Sequence, residues 1–171
     1  MLRLRTELFP RALFQAAVVL MLAALLALGA NHFSADPLPL VADWSPAARL
    51  KTATGDSLVI PLEQAAAFHE SREAVFVDAR SPELFAEGHI AGAINVPWEQ
   101  VDDYLDVFLK QVPDASSVVI VYCDGEGCSL SEQLALMLRD MGYPNVKVLV
   151  NGWTVWREHG YVVEAGSSHE V

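Results

Sequence analysis

The sequence predicts an α/β protein in which helices flank a doubly wound parallel sheet and one transmembrane helix precedes the domain. From Ser57 onward, short and continuously apolar runs alternate with stretches of helical periodicity, a pattern typical of parallel strands that are buried on both faces. Residues 12–30 form a single uncharged run that differs in composition from the rest of the chain. The length of 171 residues fits one domain with a short extra segment.

Charge and cysteine content exclude several classes of protein. The formal charge of −11 argues against nucleic-acid binding, which depends largely on Lys and Arg contacts to phosphates. The two cysteines, Cys123 and Cys128, are too few for a disulfide-dense scaffold or a four-cysteine zinc site. Two thiols are too few ligands for a metal ion and no histidine is adjacent to them in the sequence, so we expect no bound metal. We expect no cofactor either.

The N-terminal apolar run, Ala12–Ala30, has the length and composition of a membrane-spanning helix. Gln15 is its single amide, and about 20 mostly apolar residues suffice to cross a bilayer. Three arginines lie in the preceding tail, residues 1–11, and positive charge places that end in the cytoplasm. We favour an uncleaved, single-pass anchor in the inner membrane with the rest of the chain in the periplasm. The alternatives are a signal sequence cleaved at Ala27-Leu28-Gly29 and a buried core helix.

The chain after the anchor divides into a tether, a domain and a tail. Residues 31–56 contain three prolines and are predicted to form an extended tether, although Trp44 and Leu50 are candidates for docking on the domain. The domain is predicted at residues 57–165 and the tail at 166–171. Without residues 1–30, eight basic and twenty-one acidic residues remain, giving a formal charge of −13. Such a domain repels anionic partners and anionic lipid surfaces.

The elements of the domain follow from the hydrophobic pattern. Short strand-like runs occur at five places: Leu58–Ile60, Val75–Val77, Ala93–Val96, Val118–Tyr122 and Val146–Val150. Helical spacing fills the intervals between them: Leu62–His69, Ser81–Gly88, Trp98–Val112, Ser129–Met141 and Gly152–His159. The strongest strand is Val118–Tyr122. Ligands of such sheets bind beyond the carboxyl ends of the strands, so the candidate site is the loop after it, 123–128.

Three stretches of the chain resemble the rhodanese family. They are Val75–Phe85, Gly88–Pro97, and Val118–Cys123 together with Gly142-Tyr143 and Val148–Trp153 further on. The order and spacing of the stretches match, and the resemblance covers residues 58–163. It implies a rhodanese-like sheet of five parallel strands flanked by helices, a five-stranded doubly wound fold. It also implies that the cysteine at position 123 carries sulfur as a persulfide.

The residues after Cys123 suit a reactive thiolate. A free cysteine thiol has a pKa of about 8.5, so a nucleophilic cysteine needs groups that stabilise its anion. Glycines let successive amides turn toward one atom, and we predict a backbone cradle formed by Asp124, Gly125, Glu126, Gly127 and Ser129. The helix that follows adds its positive dipole end. The alternative is a buried cysteine that only fills space at the end of a strand.

The loop departs from the pattern that the resemblance implies. Thiosulfate-using members often hold arginine at the sixth loop position, whereas this chain has Cys128 there and two acids, Asp124 and Glu126, within the loop. Each carboxylate would repel a thiosulfate dianion by about 1–2 kcal/mol at ~4–8 Å, so poor use of thiosulfate is expected. Relatives that hydrolyse phosphate esters have a longer loop with arginine, so phosphatase activity is not expected.

Cys128 has two interpretations. It is a resolving thiol that discharges a persulfide or sulfenic acid on Cys123, or it fills the space that arginine occupies elsewhere. The partners expected are the membrane, through residues 12–30, and a small sulfur donor or a thiol partner protein. The function predicted is sulfur transfer or thiol redox exchange at Cys123. The alternative is a non-catalytic binding module that docks a partner protein through the loop 123–128.

Other polar and aromatic residues receive mainly structural interpretations. Arg80 is predicted to pair with Glu83 or Glu87 and is also a candidate for substrate binding. His89 is interpreted as a hydrogen-bonded histidine in a turn. Two tryptophans spaced three residues apart on the last helix are predicted to lie in the core: Trp153 and Trp156.

Overall fold

The computed structural model describes residues 3–35, 37–38, 45–51, 55–125 and 127–166. The chain divides into two compact units, Met1–Asp43 and Trp44–Val171. The first unit contains helix α1, Arg3–His32. Its stretch Arg11–His32 has 22 residues, a mean hydropathy of 2.4 and no buried part, which is long and apolar enough to cross a membrane. A signal sequence has the same length and composition, so the uncleaved anchor stays a prediction.

The second unit contains the predicted α/β domain. In chain order its elements are α2 (Pro46–Arg49), α3 (Leu62–Ser71), β1 (Ala74–Asp78), α4 (Pro82–Glu87), β2 (His89–Ile90), β3 (Ile94–Asn95), a 3-10 turn (Trp98–Gln100), α5 (Val101–Gln111), β4 (Val118–Tyr122), α6 (Leu130–Asp140), β5 (Val146–Leu149), α7 (Gly152–Glu158) and β6 (Val163–Glu164). Local capping agrees with the sequence at α4, where Ser81 accepts a hydrogen bond from the amide of Leu84 and Pro82 occupies the first turn.

The main sheet is parallel and has the order β3-β1-β4-β5. The predicted doubly wound sheet is therefore confirmed. The fifth predicted strand lies beside β5 and is reduced to one parallel bridge between Val59 and Val148. The Ile60 amide donates to the Val148 carbonyl at 3.0 Å, and the Val148 amide donates to the Leu58 carbonyl at 2.8 Å. Pro61 follows at once and has no amide proton, so the ladder stops there.

The sheet is buried on both faces because successive side chains of its central strands point to opposite sides. Val119 and Val121 of β4 belong to the cluster that α5 and α6 cover. Ile120 and Tyr122 of the same strand belong to the opposite cluster, which α3 and α7 cover. Trp156 of α7 lies in that second cluster and is 1% exposed, and Trp153 beside it is also buried. The core positions predicted for both tryptophans are confirmed.

Part of the predicted tether packs on the domain. Leu50 is 1% exposed, and its carbonyl accepts a hydrogen bond from the amide of Leu58 at 2.8 Å. Arg49 forms an ion pair of 2.9 Å with Glu132 of α6. Leu50 therefore docks as expected. Trp44 lies outside the described residues, as do positions 36, 39–43 and 52–54 of the tether and 167–171 of the tail.

A small antiparallel ribbon was not predicted. β2 pairs with β6 through His89 opposite Glu164 and Ile90 opposite Val163. Each strand has two residues, which is too short for the alternation that identifies a strand in a sequence. The ribbon attaches the end of the chain beyond α7 to the segment that follows α4.

Gly152 at the start of α7 is required by close packing. A Cβ atom added there would lie 2.6 Å from Cβ of Tyr122 and 3.1 Å from Cγ of Leu149. We expect Gly152→Ala to lower the free energy of unfolding by about 1–3 kcal/mol, because neither neighbour can move without displacing β4 or β5. Urea unfolding of the oxidised full chain in detergent micelles measures this change. Gly127→Ala is the matched control, since an added Cβ there meets nothing within 4 Å. Equal unfolding midpoints for the two variants would contradict the packing argument.

Candidate functional site

The loop of the candidate site follows the central strand of the sheet. β4 ends at Tyr122, Cys123 comes next, and α6 begins at Leu130. Cys123 is 1% exposed, whereas Cys128 is partly exposed. The two sulfur atoms form a disulfide, and the Cα atoms are 6.5 Å apart, inside the range of about 4.4–6.8 Å that a disulfide requires. The loop is thus in its oxidised state.

A buried hydroxyl contacts the sulfur of Cys123. Oγ of Ser131 lies 3.1 Å from Sγ of Cys123, and Ser131 is itself 1% exposed. A disulfide sulfur carries no hydrogen, so in this state the hydroxyl donates to the sulfur. Sequence reasoning selected Ser129 and missed Ser131. A signal was present, because Ser131 is the one polar residue on the helical stripe of α6 that buries Leu134, Ala135 and Leu138.

The loop is tied to the start of α7. The amide of Gly125 donates to Oδ1 of Asn151 at 2.8 Å, and the Cys123 carbonyl accepts from the amide of Trp153 at 3.1 Å. The hydroxyl of Thr154 donates to the carboxylate of Asp124. Gly125 has φ +84°, a conformation that glycine adopts without steric penalty. These contacts hold the first half of the loop against a separate element.

The amides of the oxidised loop are engaged away from the sulfur. The Gly125 amide is bound by Asn151, and the amide of Cys128 donates to the Gly125 carbonyl at 3.2 Å. Among the residues that the structure describes, no backbone N–H donates to the sulfur of Cys123. Ser129 is exposed, and its hydroxyl accepts from the side chain of Gln133 at 2.9 Å. Glu126 lies outside the described residues. The cradle therefore stays a prediction for the reduced loop.

Arg80 forms a buried ion pair at the carboxyl ends of the strands, next to this loop. Its Nη2 lies 2.5 Å from Oδ2 of Asp78 and 2.7 Å from the carbonyl of Gly88. Its guanidinium carbon lies 4.7 Å from the centroid of the Trp153 ring. The predicted pairing of Arg80 with Glu83 or Glu87 is wrong, because the bend after β1 returns the guanidinium to the carboxylate two residues earlier. Burial alone would lower the pKa of Arg80, but the hydrogen bond and the charge of Asp78 outweigh it, so the pKa is raised.

Comparison with known proteins identifies the fold and the family. The model of the Rhodanese-like domain matches residues 62–159, which is more than half of the chain. This chain belongs to the rhodanese-like family. The match includes both cysteines and the hydroxyl that contacts Cys123. Membership supports sulfur transfer as the general chemistry of this fold, in agreement with the resemblance seen in the sequence.

Two curated relatives and one solved structure show the extent of the similarity. The rhodanese-like chain is 34% identical over 98 residues to Thiosulfate sulfurtransferase 16, chloroplastic, of Arabidopsis thaliana, covering 53% of this chain and 79% of that protein. It is 35% identical over 99 residues to Thiosulfate sulfurtransferase GlpE of Pseudomonas putida, covering 57% and 83%. The crystal structure of the BH2092 protein from Bacillus halodurans superposes with a TM-score of 0.55 at 25% identity, covering 63% and 76%.

Two residues beneath the rhodanese-like loop are structural. The Tyr122 hydroxyl accepts from the amide of Ile90 at 3.0 Å. Burial is the main reason that the pKa of Tyr122 is raised well above its ordinary value, so this hydroxyl stays neutral. His89 lies in β2, where its Nδ1 is 2.9 Å from the Phe85 carbonyl and its ring stacks on the Phe85 ring. His89 is hydrogen-bonded as predicted, although in a short strand.

The described part of the rhodanese-like chain contains no group of three or more His, Cys, Asp or Glu side chains that could hold a metal ion. The polar groups that contact the loop are a hydroxyl, an amide oxygen and a carboxylate: those of Ser131, Asn151 and Asp124. The chemistry that these residues support directly is thiol and disulfide exchange at the two cysteines.

Proposed function

We propose that this protein is a membrane-anchored, extracytoplasmic sulfur carrier that holds sulfur as a persulfide on Cys123 and releases it with the help of Cys128. The observation that carries the proposal is the disulfide between these residues, with Cα atoms 6.5 Å apart. The disulfide favours the resolving role of Cys128 over the space-filling role. A cysteine that only occupied the place of an arginine would not need its sulfur beside that of Cys123.

The proposed cycle conserves atoms and electrons. The thiolate of Cys123 attacks the sulfane sulfur of a donor and forms a persulfide, while the sulfur–sulfur bond in the donor breaks. The donor leaves one sulfur atom shorter, as sulfite from thiosulfate or as a disulfide from an organic trisulfide. The thiolate of Cys128 then attacks Sγ of Cys123, the bond to the outer sulfur breaks, and that atom leaves as hydrosulfide. The outer sulfur is reduced by two electrons, and the two thiolates are oxidised to the disulfide. The product of this cycle is the state that the structure shows.

Mass spectrometry of the reduced full chain in detergent micelles tests the carrier role. In Cys128→Ser the resolving thiol is absent, so treatment with an organic polysulfide should leave one extra sulfur atom on the peptide that contains Cys123. Gln133→Ala with both cysteines intact is the control for a substitution next to the loop, and it should behave like the wild type because Gln133 is exposed. A Cys128→Ser protein whose Cys123 neither gains sulfur nor reacts with an alkylating agent when folded would favour the docking-module alternative.

The acidic loop sets the preference among donors. The relatives named above are thiosulfate sulfurtransferases, but Asp124 is exposed in this loop and Glu126 adds a second acid. We expect Asp124→Asn combined with Glu126→Gln to raise kcat/KM for thiosulfate by about 30–900-fold, because each of the two carboxylates repels the dianion by about 1–2 kcal/mol and the double variant removes both.

An uncharged organic polysulfide is the matched donor for that measurement, and its kcat/KM should change less than about twofold in the same double variant. Added salt should shrink the difference for thiosulfate, since exposed charges are screened beyond about 10 Å at 0.1 M ionic strength. An equal gain for both donors would show that the substitutions act on loop structure and not on charge.

The location of the domain has its own test. The anchor Arg11–His32 is apolar, and arginines precede its central run, which supports a cytoplasmic N-terminus. In spheroplasts of a Gram-negative host, added protease reaches only the outer face of the inner membrane. We expect it to remove a C-terminal epitope tag from the full chain under these conditions. A tag that survives until the membrane is lysed would place the domain in the cytoplasm.

A further inference from the structure

The two cysteines of the oxidised loop differ in exposure. Cys123 is 1% exposed, while Cys128 is partly exposed. An incoming thiolate must reach the sulfur that it attacks, and the other sulfur becomes the leaving group. We propose that an external dithiol reopens this disulfide by attacking Cys128 only, so that Cys123 leaves as a thiolate that the Ser131 hydroxyl stabilises. This inference rests on the proposed function and adds its regeneration step.

Ser131 is placed to stabilise the leaving thiolate. Its hydroxyl lies 3.1 Å from Sγ of Cys123 and is already directed at that atom in the oxidised state. A buried anion is unfavourable unless it is hydrogen-bonded, and a hydrogen bond to a charged group is stronger than one between neutral groups. Ser131 lies in the first turn of α6, so the positive end of that helix acts in the same direction.

The regeneration step balances as a two-electron reduction. One thiolate of the partner attacks Sγ of Cys128, the bond between the two cysteines breaks, and the electron pair stays on Sγ of Cys123. The second thiolate of the partner then attacks the partner sulfur of the mixed disulfide and releases the thiolate of Cys128. The partner is oxidised from a dithiol to a disulfide, and the loop returns to two thiols.

The charge of the domain restricts the partner. Residues 31–171 carry a formal charge of −13, and Asp124 is exposed in the loop itself. A dithiol on a neutral or basic surface therefore meets less repulsion than one on an acidic surface. The partner class inferred is a dithiol reductant protein whose reactive cysteine lies on a neutral or basic face.

The order of attack can be read directly with a small thiol. The oxidised full chain in detergent micelles is mixed briefly with cysteamine, quenched with N-ethylmaleimide, digested and mapped. We expect cysteamine on Cys128 and maleimide on Cys123, with at least about tenfold excess over the reverse pattern at the earliest times. Cysteamine mainly on Cys123, or on both cysteines equally, would overturn the inference. Glutathione, which is anionic, should open the loop more slowly than cysteamine.

The role of Ser131 is tested by the pH dependence of Cys123 reactivity, which a purely structural role of the hydroxyl would leave unchanged. When Cys128 is replaced by Ser, the rate at which Cys123 is alkylated is proportional to its thiolate fraction. Adding Ser131→Ala to that variant should shift the pH midpoint of the alkylation rate upward. In the protein that keeps both cysteines, Ser131→Ala should slow disulfide opening by about tenfold or more. Ser131→Thr restores the hydroxyl and should restore both values. Gln133→Ala, at an exposed position of the same helix, should change neither value. An unchanged pH midpoint in Ser131→Ala would refute the stabilising role.

These outcomes separate the inference from the proposed function. Sulfur uptake by Cys123 combined with cysteamine on Cys123 would refute the order of attack and leave the carrier role intact. Cysteamine on Cys128 without any sulfur uptake would refute the carrier role and leave the order of attack intact.

Discussion

Cys123→Ser is expected to abolish sulfur uptake from every donor and to leave no disulfide. The reason is that a serine hydroxyl is not ionised at neutral pH and forms no persulfide, while Cys128 alone lacks the buried hydroxyl partner that Ser131 supplies to Cys123. Radiolabelled sulfane sulfur followed by intact-mass analysis of the full chain measures this, and the loss should be at least about a thousandfold, since removal of a nucleophile typically costs this much or more.

The comparison variant is Cys128→Ser, which should take up sulfur and stop at the persulfide. Cys128 lies five positions after Cys123 and acts only after loading in the proposed cycle. Sulfur bound stably to Cys128 in the Cys123→Ser protein would reverse the assignment of the two cysteines. Folding of the Cys123→Ser protein is checked by its free energy of unfolding. This value should match that of the reduced wild type within about 1 kcal/mol, because an isosteric change at a strand end disturbs little packing.

Arg80→Ala is expected to lower the free energy of unfolding by about 3–5 kcal/mol, a large part of the 5–15 kcal/mol typical of a domain. Asp78 is 0% exposed, and without the guanidinium its carboxylate would be a buried charge with no counter-ion. The stacking of Arg80 on Trp153 and its hydrogen bond to Gly88 would be lost as well. Urea unfolding followed by tryptophan fluorescence measures the change in the full chain.

Arg49→Ala is the matched control for a lost ion pair. Arg49 and Glu132 have side-chain exposures of 42% and 12%, and pairs that are accessible to water contribute about 0–1 kcal/mol. The contrast between the two variants isolates burial as the cause. A small effect of Arg80→Ala, similar to that of Arg49→Ala, would mean that the buried pair does not stabilise the domain.

Most of the sheet could be predicted because its signal is local. β4 is continuously apolar and rich in Val and Ile, and most of β1 lies in the stretch Val75–Phe85 that carried part of the family resemblance. The segment Leu58–Ile60 was harder, because a strand at the sheet edge next to a proline makes only one bridge. The β2–β6 ribbon depends on pairing of distant residues, which no periodicity within either strand reveals.

Only those features of the site that depend on residue type and spacing within the loop could be predicted. Two cysteines five positions apart, with glycines between them, predicted a nucleophile and a candidate resolving thiol in one loop. The direction of the Gly125 amide could not be predicted, because its acceptor, Asn151, belongs to the loop before α7. The position of Ser131 depends on the rotation of α6 about its axis. The apolar stripe of that helix indicates this rotation, but a serine on the stripe was not recognised as buried.

Sulfide release during a single turnover of the reduced wild-type chain is the most direct test. The full chain in detergent micelles receives one equivalent of an organic polysulfide, and free sulfide and protein thiols are measured together. We expect one sulfide to be released for each pair of thiols lost, with the disulfide mapped between Cys123 and Cys128. Release of sulfide while both thiols stay free would contradict the proposed cycle. Formation of the disulfide with no sulfide released and no persulfide detected would contradict it as well.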